Sequence, residues 1–209
     1  MYNSVIQAFG NDFLSAFGFE SKRIVEHIPS EIKTIRNEKI MVEDLFRYED
    51  GTLLQIVCHP RAEINERDLW EFVINYMAIY DEYEQNIRAI LVLPPTIQDA
   101  EIPMDRGSIY YNPEVLWLSR WNADEISGEI NDKIQQNGEL MNEELSLLTM
   151  LPFMNTKGSR LQTAVEAVKI ANQVDKGKRN LVIKLMKSMT RKLLSGDDYD
   201  QVVQAFERA

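Results

Sequence analysis

Asp44 is the residue whose setting asks most for an explanation. Alternation places it on one strand face with Val42, Phe46 and Tyr48, and a carboxylate among apolar neighbours is costly without a partner or a metal. Arg47 and Arg61 are the basic partners within reach in sequence. Downstream stands His59, one of only two histidines, the other being His27, which has no partner signal. Upstream, Glu31 follows Pro29-Ser30, where an acid also suits the first turn of a helix. The single cysteine, Cys58, sits in an apolar run where a small buried thiol is the ordinary outcome.

The elements that must position these groups follow from periodicity. Asp50-Gly51 between two apolar runs marks a hairpin over residues 40–59. With those two residues as the loop, Phe46 faces Gln55, Asp44 faces Val57 and Val42 faces His59. His59 then lies diagonally from Asp44, about 7–8 Å away between neighbours, a gap that a shared ion could bridge. Glu63 and Asp68 are further carboxylates nearby.

Helical spacing from Tyr2 to Phe17 (Val5, Ile6, Phe9, Phe13, Leu14, Phe17) predicts an opening amphipathic helix, and a second spans Glu66 to Tyr83. Ile87 to Leu93, ended by Pro94-Pro95, reads as a buried central strand, with minor strands at 108–111 and 115–118. From Ala123 onward five helices are predicted, near 123–136, 142–151, 159–174, 178–194 and 199–208. The order predicts an α/β or α+β body, a mixed sheet covered by helices over 1–122, followed by a helical region over 123–209.

The strand bearing Asp44, the turn Asp50-Gly51, the strand Thr52 to Ile56 and the helix from Asp68 to Tyr80 together resemble the PD-(D/E)XK nuclease superfamily, in its recombination-promoting, transposase-like branch. The resemblance implies a restriction-endonuclease-like fold and a site for Mg²⁺ or Mn²⁺. Asp44 would be one ligand, residue 57 a second, Glu31 a supporting acid, and residue 59 would orient water. The family pattern has Glu, any residue, then Gln or Lys at 57–59; here stand Val57, Cys58 and His59. Phosphodiester hydrolysis by this route needs a divalent ion to activate water and neutralise developing charge, and hard Mg²⁺ asks for oxygen ligands. Val57 cannot ligate.

Three functions are therefore carried forward. One is a metal-dependent DNA endonuclease with a rearranged site of Asp44, Glu31 and His59. The second, which the missing carboxylate favours, is a nuclease-like protein without catalysis, acting through DNA or protein contacts in a mobile-element, recombination or phage-related setting. The third is a regulatory interaction module with no nucleic-acid role.

Charge bears on the choice. Against a formal net −10, residues 157–192 hold ten basic and two acidic side chains, a net +8 that leaves −18 on the rest. Within it Lys178, Arg179, Lys184 and Lys187 are the expected nucleic-acid contacts, since phosphate affinity depends on clustered cations. The same patch suits an acidic face of another subunit, so a homo-oligomer is a further expectation. No Gly-rich phosphate loop, zinc-type Cys/His spacing or Ser/His/Asp set is present. With no run of about 20 apolar residues and no basic, apolar leader, a cytoplasmic protein without membrane contact is expected.

Overall fold

The computed structural model describes residues 4–28 and 30–208. Two short helices open the chain, α1 (Val5–Phe9) and α2 (Asn11–Ala16). The strands β1 (Ile24–His27), β2 (Ser30–Lys33), β3 (Lys39–Val42), β4 (Leu45–Tyr48) and β5 (Leu53–Cys58) follow, then α3 (Glu66–Tyr83) and β6 (Ile87–Leu93). After the minor strands β7 (Met104–Asp105) and β8 (Tyr110–Tyr111) comes β9 (Glu114–Trp117). The helices α4 (Ala123–Gln135), α5 (Asn142–Met150), α6 (Arg160–Ala171), α7 (Lys176–Leu193) and α8 (Gly196–Arg208) complete it.

The main sheet has the order β1-β4-β5-β6-β9. Its first two pairings are antiparallel and its last two parallel. The change of direction follows from the connections: a short turn joins β4 to β5, whereas the whole of α3 crosses over between β5 and β6. α3 forms over the predicted residues because Asn65 and Asp68 close a reciprocal capping box at its start, and the Arg61 guanidinium fixes Asp68 at 2.7 Å.

Both faces of the sheet are covered, giving a mixed sheet flanked by helices as the element order predicts. On one face Phe46, Tyr48, Leu54, Ile56, Ile90, Val92 and Leu116 join a cluster that runs from Val5 to Ala205 through the C-terminal helices. On the other, Leu45 and Leu53 pack with Ala78 and Ile79 of α3, and Leu91 and Leu93 with Ile97 and Ile102. One apolar core is thus continuous across Asn122, the cap of α4. No helix among the described residues is long and apolar enough to cross a membrane.

Three local readings change. The opening helix breaks at Gly10, whose φ of 55° and ψ of −124° end α1 and start α2, yet all six predicted apolar positions are buried. Tyr2 and Pro29 lie outside the described residues. Second, the predicted 40–59 hairpin divides: β3 turns back on β2, pairing Glu31 with Met41, and only β4 pairs with β5. Third, the β4–β5 loop has three residues, with Tyr48 and Thr52 closing it and Gly51 at φ 87°. A Gly in this conformation at the third loop position is the familiar three-residue hairpin closure. The register therefore shifts by one, so that Phe46 faces Leu54, and the Asp44 backbone carbonyl accepts from the Ile56 N–H at 2.9 Å instead of Asp44 facing Val57.

That loop yields a stability test. A Cβ on Gly51 would meet only Gln85 Oε1, at an ordinary 3.6 Å, so the cost of Gly51→Ala is conformational. Urea unfolding is expected to show a loss of about 1 kcal/mol, the left-handed penalty alone. A loss several times larger would mean that the loop cannot accommodate the added methyl group.

Candidate functional site

The shifted register decides what surrounds Asp44. Along β4 it continues the alternation of Phe46 and Tyr48, toward the C-terminal helices, while Val42 turns to the opposite face and packs with Leu45, Leu53 and Ile79. The β5 side chains on Asp44's face are Ile56 and Cys58; Val57 packs on the other face with Leu91 and Leu93. The position expected to supply the second carboxylate thus faces away, because side chains alternate with a period of two and a one-residue slip reverses them.

The partner of Asp44 comes from elsewhere in the chain. Lys192, in the last turn of α7, places its Nζ 2.5 Å from Asp44 Oδ2 and 3.0 Å from Glu43 Oε2. Only 9% of the Asp44 side chain and 17% of the Lys192 side chain are exposed, so solvent screens the pair little. Arg47 instead binds Glu26 at 2.9 Å, and Arg61 binds Asp68. Burial works against the Lys192 charge, but the attraction and hydrogen bond of Asp44 more than offset it and hold the ammonium above its ordinary 10.5. Burial, reinforced by the Asp44 charge, pushes the adjacent Cys58 thiol up to about 12.

These groups line an open cleft of about 300 Å³ where β3, the start of β4, the end of β5 and the last turn of α7 meet. Gln55 borders it, 4% exposed, with its side chain on the Val57 side of β5, where its Oε1 finds no donor among the described residues. The cleft combines two carboxylates, an ammonium and a neutral thiol. That set can hold charge and donate or accept hydrogen bonds, but the nucleophile nearest to it is kept protonated at neutral pH.

Glu31 and His59 are not brought to Asp44. Glu31 is exposed on the β2–β3 hairpin and binds Lys39 at 2.6 Å across the strand pair. His59 is buried against α3, its Nε2–H donating to the Glu63 carbonyl at 2.7 Å and its ring edge-on to Phe72. Glu63 contributes its backbone there, and Asp68 is spent on the cap of α3 and Arg61. Among the described residues no group of three or more His, Cys, Asp or Glu side chains is arranged to hold a metal ion. The residues present do not fit the Mg²⁺ or Mn²⁺ that the family resemblance implies, because the carboxylate that would bind it already holds an ammonium.

The basic segment divides by function. Lys178 binds Glu139 at 2.5 Å and the Leu140 carbonyl at 3.1 Å, pinning α7 to the loop before α5, and Arg179 is half-buried. The half-buried Lys184 and the exposed Lys187 and Arg191, at helical spacing, lie away from the buried Val182, Leu185, Met189 and Leu193 and make no ion pair among the described residues. Lys187 rests over the Phe206 ring at 5.6 Å. Lys192 and Gln55 were not singled out by the sequence reading. A signal for Lys192 existed: it stands three residues after Met189 and seven after Leu185, on the edge of α7's apolar stripe.

Removing one partner of a mostly buried pair strands the other. Lys192→Met is expected to destabilise the fold by about 3–5 kcal/mol, and Asp44→Asn/Lys192→Met to recover most of that loss, in urea unfolding. Since the Lys192 value is raised on folding, its stabilisation is complete below 10.5 and fades as pH climbs through the raised value; Lys192→Met should remove this alkaline component. Cys58, half-buried and held protonated, is expected to react more slowly with iodoacetamide at pH 8 in the folded protein than in urea; equal rates would contradict a raised thiol pKa.

No protein-family model, no curated protein and no solved structure matches this chain.

Proposed function

We propose that this protein is a nuclease-like protein of the PD-(D/E)XK, restriction-endonuclease-like type that works by contact with DNA, not by metal-dependent hydrolysis. The observation that carries the reading is the engagement of Asp44 by Lys192, with Ile56 and Cys58 where a second carboxylate would be needed. Supporting it is the helix, antiparallel hairpin, crossover helix and parallel strand that surround Asp44. A chain that kept this frame while losing its ligands retains a shaped surface beside a basic helix. The setting that the resemblance implies is a mobile element, recombination or phage.

DNA contact is assigned to the outward stripe of α7, Lys184, Lys187 and Arg191. It is free of ion pairs among the described residues, so its cations can replace the counterions of a phosphate backbone. The acidic remainder of the surface confines such contact to this stripe and makes it strongly salt-dependent. A second reading, contact with another protein, is favoured by one observation: Met77, Tyr80, Ile109 and Tyr110 are all exposed apolar side chains, and Met77, Ile109 and Tyr110 line one groove.

Titration of a labelled duplex at several salt concentrations tests the first reading. Alanine at Lys184, Lys187 or Arg191 is expected to weaken binding for any sequence and to lower the salt slope by about 1 each. Lys178→Ala should change it less, because that ammonium is engaged with Glu139 and Leu140. No duplex binding, or binding untouched by all three changes, would transfer the proposal to protein contact. Plasmid nicking in Mn²⁺ that disappears in Asp44→Asn would make the protein an active nuclease.

A further inference from the structure

The carboxylates of Glu43 and Asp44 already hold a cation. It is the Lys192 ammonium, bonded to both and delivered from 148 residues away in the chain. An ion from solution binds at a rate and affinity set by its concentration, whereas a side chain on a packed helix is present at a high effective concentration wherever the helix is docked. Here α7 is docked firmly: Met189 is 2% exposed and Leu193, adjacent to Lys192, is fully buried. To reach Asp44 a divalent ion must displace an ammonium that the docked helix keeps beside it.

The charges on all sides of the pair agree with this. Glu43 and Asp44 supply two negative charges from the β3–β4 bend, Lys192 supplies one positive charge from α7, and Arg191 stands at the rim of the same cleft. The Cys58 thiol beside Asp44 is neutral at ordinary pH and adds no charge. With Lys192 removed, two adjacent carboxylates in an open cleft remain, and one or two carboxylates with water completing the shell are the usual way in which a protein holds Mg²⁺ or Mn²⁺.

We infer that Lys192 is a tethered counter-cation, which keeps divalent ions away from Glu43 and Asp44 and fastens α7 to the sheet by the same bonds. Independence from metal is then a property conferred by one side chain of the C-terminal region, beyond the absence of a carboxylate on β5. This inference does not depend on whether α7 meets DNA.

Calorimetric titration of Mn²⁺ into the full chain, into Lys192→Met and into Asp44→Asn/Lys192→Met tests it, with melting curves recorded at each Mn²⁺ concentration. The expected result is Mn²⁺ affinity at least about tenfold higher in Lys192→Met than in the natural chain, as befits removal of a competing unit charge at ion-pair distance. Melting temperature should rise with Mn²⁺ in that variant alone, and the double variant should lose both effects. A folded Lys192→Met with no gain, or a natural chain that binds Mn²⁺ through Asp44, overturns the inference. If Lys192→Met does not fold, Lys192→Gln, whose amide can still donate to Asp44, is titrated in its place and read by the same criteria. Loss of DNA binding with the Mn²⁺ gain intact would remove the proposed function and leave this inference standing; the reverse pattern would do the opposite.

Discussion

Strand β5 is the constraint on which the remaining structure depends. It pairs antiparallel with β4 along one edge and parallel with β6 along the other, and apolar side chains cover both of its faces. A six-residue strand so enclosed leaves its neighbours few choices. α3 must span one face to bring β6 alongside, the C-terminal helices must cover the other, and the short turn to β4 sets which residues of the hairpin meet. The three-residue closure at Glu49, Asp50 and Gly51 thereby determines that Asp44 and Cys58 share a face and that Val57 leaves it.

Electrostatics then acts within that frame. A buried carboxylate at the start of β4 is a liability, and the fold resolves it by bringing an ammonium from the last turn of α7. Such pairs rarely add much stability relative to apolar replacements, but they penalise every arrangement in which one partner is buried alone. The Lys192–Asp44 bond therefore specifies how α7 docks more than how tightly the core packs. Placing the inward cation on one edge of α7 also leaves Lys184, Lys187 and Arg191 on its outward side, so one helix divides its charges between holding the fold and facing outward.

Much of the fold was legible along the chain. The helix Glu66–Tyr83 and the strand Ile87–Leu93 form over the predicted residues, and the C-terminal helices start and stop within a few residues of their signals. These elements are long or strongly periodic, and their caps and breakers, such as Asn65 and Pro94-Pro95, lie next to them. The β2–β3 hairpin was not legible. Its turn around Arg36-Asn37 has no glycine, with Asn37 itself taking the positive φ, and Lys39–Val42 was absorbed into the stronger hairpin that follows.

What the sequence by itself determined is local: which segments are helix or strand, which apolar positions are buried, that Asp44 needed compensation, and that positive charge gathers between residues 157 and 192. What only the tertiary structure decided is which groups meet. Asp44 lies near Arg47 and Arg61 in sequence, yet its partner is Lys192, because strand alternation turns Arg47 away and Arg61 is committed to Asp68. Glu31 and His59 fell out of the site for the same reason: each found a nearer partner, Lys39 across a hairpin and the Glu63 carbonyl in a loop. Periodicity gives the face on which a side chain lies, but a one-residue difference in loop closure and the docking of a distant helix set its neighbours, and neither is a property of any short stretch of chain.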